Sequence, residues 1–322
     1  MKVGRTMKKK IRSFIILAAL SAAAIHMINK ILCHLSTLHD LLHREEGEIY
    51  EWRFGKIHYQ KYGCGKPLLL LHDLNPAVSS AEWSQAISLL SREHTVYTVD
   101  LLGCGLSDKP NLTYTNFLYV QMISDFIKHI IHEPADVIAS GSAAPLVAMT
   151  ATAGQELIDK MIFVNPQNLH DLAKIPSKRS KLLYHFVSMP LVGTFLYNIL
   201  FCRKRIALKL RESFYDPSQM DDLLVDTYLE SAHLDKMHSR YLFASISGNY
   251  TKVNLAPFLS KITHSIFIIT GAESTHDNET ACEYQKYLPS IEIVTISDTK
   301  SLPQIENPEE FCEQVDILLD PK

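Results

Sequence analysis

Apolar and polar positions follow two distinct periods along this chain, and the order in which they occur outlines a fold. "KPLLLLHDL" (66–74) and "TVYTVDLL" (95–102) are continuous apolar runs, the pattern of strands buried on both faces of a parallel sheet. "DVIAS" (136–140) and "DKMIFVNP" (159–166) repeat it. Between them, "AEWSQAISLLSREH" (81–94) and "YTNFLYVQMISDFIKHIIHE" (114–133) place apolar residues three and four apart, which predicts helices. Ahead of them, "IYEWRFGKIHYQKYG" (49–63) alternates bulky and polar residues around Gly55 and predicts a hairpin. Strand and helix alternating with short links predict an α/β fold with a mostly parallel central sheet flanked by helices.

From about Gln167 to Pro257 the strand period disappears and only helical segments remain. "HSIFIITG" (264–271), a helix near Ala281 to Tyr287, "IEIVTIS" (291–297) and "NPEEFCEQVDILL" (307–319) then resume the alternation. The expected organisation is therefore an α/β core over 48–166 and 258–322, with a helical cap inserted over 167–257. The chain carries no internal repeat and no low-complexity segment.

A third pattern precedes the core. Lys2, Arg5, Lys8, Lys9, Lys10 and Arg12 lead into "SFIILAALSAAAI", and no acidic residue occurs before Asp40. Residues 13–32, at about 20, suffice to cross a bilayer as a helix. We read 1–12 as a basic flank and 13–32 as an uncleaved anchor, with a cleaved signal peptide and a surface-lying helix as alternatives. A spanning helix would keep the basic flank inside and the globular domain outside. Residues 33–47 read as a polar, His-rich stalk, its His34, His39 and His43 solvated.

Composition narrows the function classes. With 322 residues, 47% hydrophobic and 21% charged, the chain can bury one large core. Its 32 basic residues against 35 acidic ones give a net charge of -3, a balance that argues against nucleic-acid binding. Six dispersed cysteines include no C-x-x-C pair and read as buried thiols. No cofactor or metal is implied.

Four segments, in this order, carry a family resemblance: "LLLLHDL", "DLLGCGLSDKP", "SGSAA" and "LPQIENPEEF". Together they resemble the α/β-hydrolase family, in its capped, esterase- and epoxide-hydrolase-like branch, from about Tyr50 to the C-terminus. The resemblance implies a strand-to-helix elbow at "SGSAA" with Ser142 as nucleophile, and oxyanion donors in the backbone N–H groups of Leu74 and Ala143. It also places the acid at Ser274, in Gly271-Ala272-Glu273-Ser274, and the catalytic His at Ser301, just before Leu302-Pro303. The triad is thus degenerate in sequence, and Asp73 stands where the oxyanion loop usually has Gly.

Substitutes are available nearby. His276 is the expected replacement base and Asp277 the replacement acid, with Glu273, Lys300, His170, His233 and His238 as further candidates. Two readings remain open. One is a membrane-anchored esterase acting through Ser142 on a small apolar ester or acyl substrate. The other is a non-catalytic protein of the same fold that binds a ligand or a protein partner.

Overall fold

The computed structural model describes residues 2–154 and 156–319. Met1 and the side chains of residues 2–9, most of the basic flank, lie outside the described residues.

The eight strands are β1 (Glu48–Trp52), β2 (Gly55–Tyr62), β3 (Lys66–Leu71), β4 (His94–Val99), β5 (Ala135–Ser140), β6 (Ile158–Val164), β7 (Ser265–Gly271) and β8 (Glu292–Ile296). They form one sheet in the order β1-β2-β4-β3-β5-β6-β7-β8. The hairpin β1–β2 pairs Trp52 with Gly55 across its tight turn, and β2 lies antiparallel to β4. Every later pairing is parallel. The apolar runs bury because both sheet faces are covered. Leu69, Leu71, Val137 and Ala139 point into one cluster, and Leu68, Leu70 and Ile138 into the other.

The helices are α1 (Lys2–Ser36), α2 (Ser84–Leu90), α3 (Asn116–Phe126), α4 (Ala144–Ala153), α5 (Leu169–Leu172), α6 (Lys178–Ser188), α7 (Val192–Leu200), α8 (Arg203–Ser213), α9 (Asp222–Met237), α10 (Arg240–Ser247), α11 (Ala256–Leu259), α12 (Thr275–Tyr287), α13 (Pro303–Glu306) and α14 (Pro308–Leu319). No strand interrupts the run α5–α11, which enters after β6 and returns at β7. Within it, Tyr197, Phe201, Ile206, Leu210, Val225 and Tyr228 pack with Ala77 and Val78 of the core, so the cap has its own apolar centre seated on the loop after β3.

The turn after β4 shows why "DLLGCGLSDKP" folds as it does. Asp100 is buried; its Oδ1 accepts from the Ser80 N–H at 2.7 Å and its Oδ2 from the Leu106 N–H at 2.7 Å. Gly105 has φ +46, and a Cβ there would fall 2.3 Å from that carboxylate, so only glycine closes the turn. Buried Lys109 donates to the Gly105 and Ser107 carbonyls at 2.6 and 2.9 Å.

Helix α1 is a single 35-residue rod, and its segment Lys10–Ser36 is long and apolar enough to cross a membrane. The segment read as a stalk does not stand free. Cys33 Sγ meets the His233 carbonyl at 3.4 Å, and buried Glu230 accepts from the Leu41 N–H at 3.0 Å and from Arg44 at 2.9 Å. A buried carboxylate needs such partners, and this one draws the segment onto the cap.

Candidate active site

β5 ends at Ser140 and the chain turns at once into Gly141–Ala143 and α4. The left-handed residue of this elbow is Gly141, with φ +52; Ala143 and Ala144 already have helical backbone. In an elbow of this kind the strained residue lifts its side chain over the sheet edge. Sequence reasoning puts Ser142 at the apex; the left-handed backbone falls one position earlier, on Gly141, which has no side chain, and Ser142 follows it. The reason is steric as well as conformational, because a Cβ on Gly141 would lie 2.5 Å from Asp73 Oδ1.

The same shift moves the backbone donors. The N–H that follows the apex belongs to Ser142, and Ala143 comes one residue too late. The Ser142 N–H donates to Asp73 Oδ1 at 2.8 Å. The Leu74 N–H also acts on the Asp73 carboxylate. Burial raises the Asp73 carboxyl above its ordinary value, and the N–H groups of Ser142 and Leu74 oppose that rise.

Asp73 is fixed from behind. His72 Nδ1 donates to the Asp73 carbonyl at 2.7 Å and its Nε2 accepts from the Leu101 N–H at 3.0 Å, so the ring is neutral, and burial lowers its pKa. The Asp73 N–H donates to Glu82 Oε2 at 3.1 Å. Glu82 is itself buried and takes a hydrogen bond from Gln304 Nε2 at 2.6 Å. Burial, aided by the charge of Asp73, pushes the Glu82 carboxyl up to about 7. Sequence reasoning passed over Glu82 and Gln304. The signal for Glu82 was an acid beside Trp83, on the apolar side of its segment.

The far wall comes from the ends of β7 and β8. Asp277 Oδ2 accepts from Ser274 Oγ at 2.6 Å and from Ser301 Oγ at 3.0 Å. Ser274 and Ser301, which sequence reasoning sets at the acid and His positions, are thus both hydroxyl donors on one carboxylate. Asn165 Nδ2 donates to the Ser301 carbonyl at 2.9 Å, and the Ser301 N–H reaches the Ser213 carbonyl of the cap at 2.9 Å.

The remaining candidates are placed elsewhere. His276 is exposed on the first turn of α12, in a separate depression with Asn168, Ala272 and Glu279. Glu273 is exposed. Lys300 Nζ donates to the Glu212 carbonyl at 2.6 Å. His170 is exposed, His233 is buried inside the cap on the Leu229 carbonyl, and His238 pairs with Asp235. Among the described residues no hydrogen bond joins any of these histidines to Ser142.

Asp73, Glu82, Ser140, Gly141, Asn165, Asp277 and Ser301 form the polar floor of a cavity of about 260 Å³. The cap roofs it with Leu200, Phe201, Ile206, Leu210 and Tyr228, and Lys209 joins the lining as a basic residue.

Residues 68–314 match the model of the alpha/beta hydrolase family. A 2-hydroxy-6-oxo-6-(2'-aminophenyl)hexa-2,4-dienoic acid hydrolase of Metapseudomonas resinovorans is 35% identical over 71 residues, 22% of this chain and 24% of that protein. A soluble epoxide hydrolase of Corynebacterium sp. (strain C12) is 26% identical over 110 residues, 34% of this chain and 38% of that one. The chain thus aligns with less than two fifths of the length of either relative. Among solved structures, a serine hydrolase involved in carbazole degradation superposes with a TM-score of 0.70 at 17% identity, covering 85% of this chain and 98% of its own. A membrane phospholipase A superposes at 0.68 with 18% identity, covering 97% and 98%, a span that reaches into α1.

Proposed function

The chain belongs to the α/β-hydrolase family, and from that premise we propose that it is a membrane-tethered member that binds a small, partly apolar ligand at its elbow and does not hydrolyse an ester there. The observation that carries this reading is the Asp73 carboxylate on the Ser142 N–H, beside a glycine apex. Serine hydrolysis in this fold requires a side-chain nucleophile at the apex, an imidazole to take its proton, and free N–H groups for the developing oxyanion. Gly141 supplies no nucleophile. Ser274 and Ser301 give their protons to Asp277 and offer no base. A substrate oxyanion would meet a carboxylate where it needs N–H donors.

What remains is a pocket with an apolar roof and hydrogen-bonding groups on its floor, the usual make-up of a small-molecule site. The tether is α1, whose length and composition suit a span. The likeness to a membrane phospholipase A over 97% of the chain supports the same role.

The test is labelling of the purified full chain with a fluorophosphonate probe, beside a Ser142→Ala control. The proposal expects no labelling of either folded protein. Labelling of the native chain that disappears in the control would restore Ser142 as a nucleophile and overturn the reading.

A further inference from the structure

The cap carries an apolar face that its own core does not use. In α6 only Ser180 and Val187 are buried, while Leu182, Phe186 and the following Met189 are exposed at spacings of four and three, one stripe of the helix. Leu182 is 72% exposed, and Ile175, just ahead of the helix, 79%. Val192 and Ile199, seven apart on α7, continue the exposed apolar surface. An ordinary surface helix turns its apolar stripe inward; this pair turns much of it out. Taken together α6 and α7 are apolar enough to count as a membrane segment, but they are bent by 96° at the corner between them.

The position of that corner says what covers the face. Along α1 the apolar side chains of Phe14, Leu17, Leu20 and Met27 are exposed, and Asn29 is the first buried residue among those whose side chains are described. Asn29 Nδ2 donates to the carbonyl of Leu191, in the α6–α7 corner, at 3.2 Å, and Asn198 of α7 donates back to Asn29 Oδ1 at 2.8 Å. Pro190 and Leu191 share a groove with His26, Asn29 and Lys30. The free part of α1 ahead of Asn29, from Lys10, rises about 28 Å at 1.5 Å per residue. That matches a hydrocarbon core of about 30 Å. Where α1 leaves such a core, the corner is beside it. Lys178, Arg179 and Lys181, exposed at the start of α6, complete an interfacial pattern of apolar residues beside basic ones.

We infer that the α6–α7 corner is a second membrane contact, with Leu182, Phe186, Met189 and Val192 dipping into the leaflet that α1 leaves and the α6 basic residues meeting anionic lipid headgroups. The inference rests on the anchoring role proposed for α1, and the experiment separates the two. The full chain is reconstituted into vesicles of phosphatidylcholine and phosphatidylglycerol with brominated acyl chains. Emission is read from Leu20→Trp on α1, Phe186→Trp on α6 and Ile317→Trp near the end of α14, exposed beside the sheet edge opposite the cap where Lys160 Nζ meets the Leu318 carbonyl, after subtraction of the native Trp52 and Trp83 signal. The expected result is loss of emission at positions 20 and 186 and none at 317. Replacing Lys178, Arg179 and Lys181 with Glu is expected to reduce the loss at 186 where phosphatidylglycerol is present, and not in phosphatidylcholine alone.

Quenching at 20 with none at 186 would overturn the corner contact and leave the anchor standing; a second copy of the chain covering this face gives that same result. Absence of quenching at both positions would overturn anchor and corner together. Quenching at 186 without quenching at 20 would keep the corner as a membrane contact and remove the anchor.

Discussion

The turn after β4 and the floor of the cavity both bury acidic side chains, and they treat them in opposite ways. Burial alone would raise Asp100, but the His58 imidazole, its Nδ1 3.5 Å from Oδ2, together with the Ser80 N–H, outweighs that and holds it down at about 2. Asp73 and Glu82 are two carboxylates joined through a single backbone N–H, and both are raised. The first arrangement is what a fold does when a polar group serves structure: each oxygen finds an N–H donor and an imidazole lies near. The second keeps electrostatic cost in place, and such cost concentrates where a protein meets a ligand. The contrast separates the residues that make this chain an α/β-hydrolase fold from those that decide what its pocket does.

The largest effect that tests the comparison is on stability. Asp100→Ala removes an acceptor from two part-buried N–H groups and leaves His58 without its charge partner, and it is expected to cost about 3 kcal/mol. Ser142→Ala, at the candidate nucleophile, is expected to stay within about 0.5 kcal/mol of the native chain. Urea unfolding of the two variants checks both, and similar losses would erase the distinction.

Next in size are the pH slopes, and their signs differ. Glu82 has a folded value of about 7 against an ordinary 4.5. The folded state therefore holds its proton longer than the unfolded chain, and stability falls as pH rises from 4.5 toward 7, by about 3 kcal/mol for this group. Asp100, at about 2 against 3.8, contributes stability above pH 3.8 that is lost as pH falls toward 2, about 2 kcal/mol. Asp73→Asn removes the charge that adds to the burial of Glu82, so the slope between pH 4.5 and 7 is expected to flatten without vanishing. Unfolding midpoints across that range measure it. An unchanged slope would mean that Asp73 does not act on Glu82.

How much of this was legible differs between the same two regions. The strands were readable because a buried parallel strand leaves an uninterrupted apolar run, and the turn because Asp100, Gly103, Gly105, Ser107 and Pro110 keep fixed offsets. The elbow was not. "SGS" offers two registers, and residue chemistry favours the serine, whereas the backbone decides by φ, which Gly141 alone of the three adopts at little cost. A glycine at the end of a buried strand, before a helix of small residues, was the signal available. Asp73 was visible as an oddity, but its direction was not, since a side chain on a loop can face the pocket or leave it. His276 and Asp277 adjoin in sequence; a helix start separates them, turning one toward solvent and the other into the cavity. The His-rich segment was taken for a stalk because Glu230, the residue that draws it down, lies about 190 residues away.

The smallest effect is also the sharpest, because it joins the apex to the acid. Gly141→Ser puts a Cβ on a left-handed residue, at about 1–2 kcal/mol, and drives it against Asp73 Oδ1, 2.5 Å away. Asp73→Gly removes that obstacle and frees the Ser142 N–H. If the carboxylate occupies the space an apex side chain would need, the two substitutions together must cost less than the sum of their separate costs, by about 1 kcal/mol in a double-mutant cycle. Adding Ser301→His to that pair restores a nucleophile, a donor and an imidazole beside Asp277, and fluorophosphonate labelling is expected to appear only in the triple variant. Additive costs, or labelling that needs Ser142, would place the reactive centre one residue later and return the elbow to the register that residue chemistry suggested.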